Sequence, residues 1–254
     1  LIRLDCSGDD PQAWQEEIGR LRKLLPGAEP AAQKQQPAPY PGMVPFDEET
    51  APYFFGRAGV IEALRDRLAH QGLVLLIGPS GSGKSSLLRA GLLPSVADHQ
   101  PAIHVVTLRP GSEPLAALEG ALGGMVSADR VTSVRGAASA LWLVVDPLEE
   151  VFTQAKAEVQ ANFLQALRAL AQMPGCRVLA ALRADFYQDL MNSALWPVGS
   201  EERVDLGPLG TDELLQAIVK PAEACGVRVE PQLAERLVQQ SDPRQPGMLP
   251  VLQE

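Results

Sequence analysis

Cysteine and histidine are scarce in this 254-residue chain, with three of each. Cys6, Cys176 and Cys225 are odd in number and far apart, which argues against a disulfide framework and suits a reducing, cytoplasmic setting. Neither they nor His70, His99 and His104 fall at metal-ligand spacing, so a zinc-type centre is not expected. There is no basic run either: 22 Lys and Arg stand against 31 Asp and Glu, a net charge of −9. Duplex DNA or RNA calls for clustered cations against its phosphates, so nucleic acid is not an expected partner. Long apolar runs are missing too. Leu73–Ile77 and Ala140–Val145 are the longest, far short of the roughly 18–20 residues that cross a bilayer, so no membrane partner is expected. No charged-then-apolar leader opens the chain. Because it begins at Leu1 and not at Met, it reads as an excerpt of a longer protein.

What is present is an ordinary globular balance, 46% apolar and 21% charged, in a chain long enough for one large domain or two small ones. Residues 1–25 read as a short strand (LIRLDC) and a helix with Trp14, Ile18, Leu21 and Leu25 on one face. Residues 26–45 hold six of the 22 prolines and read as an extended linker. An aromatic segment, FDEETAPYFFGR, leads into an amphipathic helix over 59–70. Strands then alternate with helices: strands at Leu73–Ile77, Ile103–Leu108, Leu141–Asp146, Arg177–Leu182 and Val204–Leu206, helices near 84–92, 113–122, 128–140, 159–170 and 184–191. Continuous apolar strands alternating with helices predict a mostly parallel sheet covered on both faces, an α/β core over 46–208. After Pro208 the texture turns helical, with TDELLQAIVKPA, PQLAERLVQQ and the start of a third helix near Met248, a cap over 209–254.

The strongest motif is GPSGSGKSS, running Gly78, Pro79, Ser80, Gly81, Ser82, Gly83, Lys84, Ser85, Ser86. It matches G-x-x-x-x-G-K-[ST] between a buried strand and a helix, the setting a phosphate-binding loop needs. Glycines let successive N–H groups curl inward on phosphate oxygens, and the helix N-terminus adds its positive end. In that frame Lys84 neutralises β/γ charge and Ser85 ligates Mg²⁺. Further on, the strand LWLVVD ends in Asp146, suited to holding Mg²⁺ through water, with Glu149 and Glu150 just beyond as candidate general bases. Which glutamate acts stays open, with Glu149 preferred because residue 150 points towards the next helix.

A third strand, RVLAALR, ends in Arg183. If it lies between the other two, it carries a cation to the γ-phosphate, able to tell ATP from ADP. By chemistry alone Arg183 is equally a strand-end arginine paired with Asp185. Guanine-reading [NT]-K-x-D is missing, so adenine is favoured. Phe54 and Phe55 suit either an apolar wall or core packing. Arg109 ends the second strand, where it faces either the site or solvent.

Together PYPGMVPFDEETAPYFFGR, GPSGSGKSSLLRAGLLPS, LRPGSEPLAAL, LWLVVDPLEEVFT, LAALRADFY, VDLGPLGTDELLQAI and PGMLPVLQ resemble the novel STAND group of P-loop ATPases, kin of the NACHT and NB-ARC modules, over about residues 39–254. The resemblance implies an ASCE-type sheet of order 5-1-4-3-2 with a helical lid, truncated here. It also implies Gly78–Ser85 as the Walker A loop, Asp146 as the Walker B aspartate and Arg183 as the sensor. Phe55, Gly56 and Arg57 would form the adenine-side motif, and Pro250 would be the lid proline on adenine. Pro147–Leu148 and Ala58 depart from the group's usual residues. The opening segment resembles the end of a TIR domain. The function implied is an ATP/ADP- and Mg²⁺-dependent signalling switch that hydrolyses slowly. It would homo-oligomerise on activation between flanking effector and sensor domains, in bacterial signalling or defence. The alternative is a scaffold holding ADP as a structural cofactor, and an AAA-type motor ranks last.

Overall fold

A computed structural model describes residues 38–42, 44–97 and 102–240, all within the second of the chain's two units, Ala38–Glu254. The expectations for residues 1–25, most of the linker, Pro250 and the third terminal helix lie outside the described residues.

Five strands form one all-parallel sheet: β1 Leu73–Gly78, β2 Ile103–Leu108, β3 Ala140–Val145, β4 Cys176–Arg183 and β5 Arg203–Asp205. Their order is β2-β3-β4-β1-β5, the 5-1-4-3-2 order anticipated above. Side-chain alternation explains why the central strands read as unbroken apolar runs. Leu73, Leu75 and Ile77 of β1 stand beside Val178, Ala180 and Leu182 of β4 and point into one core. Val74 and Leu76 stand beside Leu179 and Ala181 and point into the other.

The helices are α1 Ala58–His70; α2, which starts at Lys84–Ser86, passes through a π-helical segment Leu87–Leu92 and ends with Leu93–Ala97; α3 Pro114–Leu122; α4 Ala128–Arg135; α5 Glu149–Gln154; α6 Ala157–Gln172; α7 Tyr187–Met191; α8 Thr211–Ala224; and α9 Pro231–Gln240. Helices α1 and α2 cover the second face through Leu64, Leu68, Leu87, Leu88 and Leu92. Helices α3, α4 and α6 cover the first through Leu118, Leu122, Val131, Phe163 and Leu167. The amphipathic helices α8 and α9 pack on each other through Leu214, Ile218 and Ala234.

Several element bounds differ from the periodicity reading. Helix 128–140 stops at Arg135, because Gly136 takes φ +58° and Ala140 already begins β3. The P-loop helix continues to Ala97. Helix α5, six residues long, was not anticipated, since it is too short to show a period.

Two strand connections skip over neighbours, β1 to β2 and β4 to β5, and both leave from the carboxyl ends flanking β1. In open parallel sheets that edge is where ligands bind. The core's integrity rests on side chains such as Phe163, fully buried on α6. Phe163→Ala is expected to lower unfolding free energy by about 3–5 kcal/mol in urea titration; a loss below about 1 kcal/mol would mean the α6 face is not packed as described.

Candidate functional site

The sequence from Gly78 to Ser85 leaves β1 as a tight loop and enters α2. Gly81 and Gly83 have φ of +72° and +86°, a region closed to residues with a Cβ without strain, and this is how the loop folds back over the helix N-terminus. Lys84 is buried there, with Nζ donating to the carbonyls of Gly78 and Pro79 at 2.9 Å each. Burial pushes its pKa down, while the carboxylates of Glu149 and Asp146 pull the other way. The hydroxyl of Ser85 donates to Asp146 Oδ1 at 3.0 Å, joining the loop to the tip of β3. Ser86 accepts from the Phe46 N–H at 3.1 Å, which ties the segment before α1, residues 44–57 and here called the strap, to α2.

Asp146 is buried, and its Oδ2 has no hydrogen-bond donor, although Arg89 Nη2 lies 3.6 Å away. Arg89 was missed in the sequence. Its spacing from Ser85 on one helix, i and i+4, is the signal that points to it. A buried carboxylate oxygen left without a donor, beside a serine hydroxyl, matches the chemistry of a divalent cation. Among the described residues no group of three or more His, Cys, Asp or Glu converges as a metal cage. Mg²⁺ needs no such cage, because it binds through one or two protein groups, water and phosphate oxygens. The residues present therefore suit Mg²⁺ held at Ser85 and Asp146.

The neighbouring glutamates diverge. Glu149, the first residue of α5, accepts the backbone N–H of Arg183 at 3.2 Å and faces the loop. Glu150 is buried on the other side, accepting Arg109 Nε at 2.7 Å and the Gly111 N–H at 3.2 Å. The Arg109 guanidinium holds the Glu150 carboxyl below the usual range. Arg109 thus closes the β2 end against α5.

Strand β4 does lie between β1 and β3, so Arg183 stands in register with Gly78. Its guanidinium pairs with Asp185 and lies 5.6 Å from the centre of the Phe186 ring.

Lys84, Ser85, Asp146, Glu149 and Arg183 line one cleft of about 390 Å³. Pro147, Glu149 and Arg183 form one wall, and the strap and α8 form the other through Phe46, Tyr53, Phe55, Arg57, Leu209 and Ala217. Phe46, Tyr53, Leu209 and Ala217 were not singled out from the sequence, because they come from separate segments that only tertiary packing brings together. Arg57 is buried, its Nη2 donates to Ser82 O at 3.5 Å, and burial lowers its pKa. Gly56, at φ +85°, lets the strap approach so closely that a Cβ there would stand 2.4 Å from the Glu213 carbonyl of α8. Lys220 of α8 lies 5.7 Å from the Phe55 ring centre. A wider cleft of about 540 Å³ adjoins on the β2 side, with Arg89, Arg109 and Asp146 in its wall. It lacks the loop glycines, which line the smaller cleft.

Glu150→Gln should lower stability at neutral pH by about 1 kcal/mol, a figure reduced for the exposure of Arg109. Because the folded carboxyl is held low, its contribution is present above the ordinary glutamate pKa and lost as pH falls through the folded value. The gap between variant and wild type should therefore close in acid, as followed by urea denaturation between pH 7 and pH 3; a constant gap contradicts the ion pair.

A family model described as Novel STAND NTPase 1 matches residues 39–254. Among curated proteins none matches. Of solved structures, the Walker-type ATPase PABY2304 of Pyrococcus abyssi is similar at TM-score 0.57 and 14% identity, covering 83% of this chain and 68% of that one. Cdc6p from Pyrobaculum aerophilum gives TM-score 0.55 and 12% identity over 78% of this chain and 59% of that one. The Aeropyrum pernix ORC1 protein, solved in complex with DNA, gives TM-score 0.52 and 14% identity over 83% and 59%. At these identities the likeness is one of fold, that of a P-loop ATPase. The chain spans about three fifths to two thirds of these structures' lengths.

Proposed function

The chain belongs to the novel STAND NTPase 1 family, and from that membership we propose that it is an ATP-dependent switch module that hydrolyses its nucleotide slowly. The observation that carries this reading is the convergence of Lys84, Ser85, Asp146, Glu149 and Arg183 on one cleft beside the two left-handed glycines. The loop N–H groups and Lys84 take the triphosphate, with Pro79, Ser80, Ser82 and Ser86 shaping the same loop. Ser85 and Asp146 would hold Mg²⁺, which when bound would supply charge neutralisation at the phosphates. Glu149 orients the attacking water and accepts its proton as the new bond to the γ-phosphorus forms and the bond to ADP breaks. Glu150 braces the base's helix through Arg109. Phe55, Gly56 and Arg57 hold the adenine side, with Pro250 completing it from the lid.

Residues 46–208 are the nucleotide core in this reading, 209–254 the lid, 26–45 a linker, and 1–25 the end of a preceding domain. The γ-phosphate biases the lid, and with it the homo-oligomerisation of flanking effector and sensor domains. Reversing such an equilibrium from about 1:99 to 99:1 needs roughly 5.5 kcal/mol of differential affinity. Contacts from Lys84, the cation and Arg183, at about 1.5–3 kcal/mol each, cover that range. Among the described residues no helix is long and apolar enough to cross a membrane.

Lys84→Ala is expected to weaken ATP binding about 10–100-fold by calorimetry. Glu149→Gln is expected to keep ATP binding while phosphate release falls by about 100-fold or more. Unchanged affinity in the first, or unchanged turnover in the second, removes the assigned role. Retained ADP with no turnover in wild type would favour the scaffold over the switch.

A further inference from the structure

We propose that Asp185 is an internal competitor of the γ-phosphate for Arg183, so that the nucleotides are told apart by whether this ion pair opens. The inference rests on the sensor reading of Arg183 and adds the group against which that sensor is balanced.

Arg183 is held at three points. Its N–H is fixed on Glu149 Oε2 at 3.2 Å, and register places it beside Gly78, the first residue of the phosphate loop. Its side chain offers a planar fork of donors, and Asp185 fills that fork with both oxygens, Oδ1 at 3.2 Å from Nε and Oδ2 on Nη2. The guanidinium also lies over the Phe186 ring. A bidentate carboxylate occupies the same donors that a phosphate would take, so the two anions exclude one another on this fork.

Asp185 is half-exposed and meets the site through Arg183, a cleft residue whose guanidinium it grips. ATP brings a third phosphate carrying more charge than a carboxylate, and Arg183 passes from Asp185 to it. ADP lacks that group and leaves the pair closed.

Arg183 also adjoins the base: its backbone N–H is bonded to Glu149, and the Phe186 ring under its guanidinium stacks on Phe152 of α5 at 6.3 Å and 13°.

Calorimetry of the full chain with Mg²⁺, using ADP and a non-hydrolysable ATP analogue, tests this. Asp185 is half-exposed, so Asp185→Asn is compatible with the fold, which thermal unfolding checks. Removing the competitor should raise the ATP/ADP affinity ratio about two- to fivefold, the range for releasing an exposed ion pair. Asp185→Glu, which keeps the charge, should stay near wild type. The gain should vanish on an Arg183→Ala background, which a double-mutant cycle reads directly. If Arg183→Ala narrows the ratio while Asp185→Asn leaves it unchanged or lowers it, Asp185 positions the sensor and does not compete with the nucleotide, and the inference is overturned alone. If Arg183→Ala leaves the ratio untouched, the sensor reading fails and the competition fails with it.

Discussion

A buried ammonium organises this molecule. Lys84 lies out of water with its protons on two carbonyls of its own loop, and those two bonds fix the curl of the chain between β1 and α2. Burial works against its charge, and the acids that work for it come from three different elements: Asp146 beyond β3, Glu149 at the head of α5 and Asp185 beyond β4. The sheet order sets β4 and β3 successively beside β1, and this brings Arg183, Asp146 and Glu149 to the cleft that the lysine's loop lines.

How much of this the sequence revealed follows from the kind of signal each part carries. The central strands were plain, because strands covered on both faces must be apolar at every position, as β1 and β3 are. The loop was equally plain, since its glycines and lysine have few substitutes at that spacing. Arg183 could be placed once β4 was taken as the strand between the other two. Glu149 and Glu150 could not be separated with certainty, because adjacent residues differ by the turn that α5 makes, and that helix is too short to announce its phase. Beyond Phe54 and Phe55, the cleft's apolar wall was illegible for another reason. Phe46, Leu209 and Ala217 come from segments far apart in the chain, brought together by tertiary packing alone.

The strap before α1 is the mechanical link between cleft and cap. It is bonded at one end to α2, through the Phe46 N–H on Ser86, and pressed at the other against α8, where Gly56 meets the Glu213 carbonyl. Tyr40 adds a hydrogen bond to the Ile218 carbonyl of the same helix, and Lys220 covers Phe55. A shift of α8 would drag the residues proposed to face adenine, and a base lodged against them would in turn fix α8. Reciprocity of this kind is a thermodynamic requirement whenever one ligand distinguishes two arrangements of a chain.

The two glutamates after Asp146 show how a short helix can serve two ends at once. Position 150 turns inward and is clamped by Arg109 and the Gly111 N–H, so the first turn of α5 cannot rotate without breaking a charge-assisted pair. Position 149 then projects towards the loop, bonded to the Arg183 N–H and, among the described residues, in no ion pair with a side-chain cation. Glu149 engages one oxygen, Oε2 on the Arg183 N–H, whereas both oxygens of Glu150 are engaged, Oε1 by Arg109 and Oε2 by Gly111. The different surroundings of the pair thus follow from what the strands on either side of β3 carry at their ends, not from the glutamates themselves.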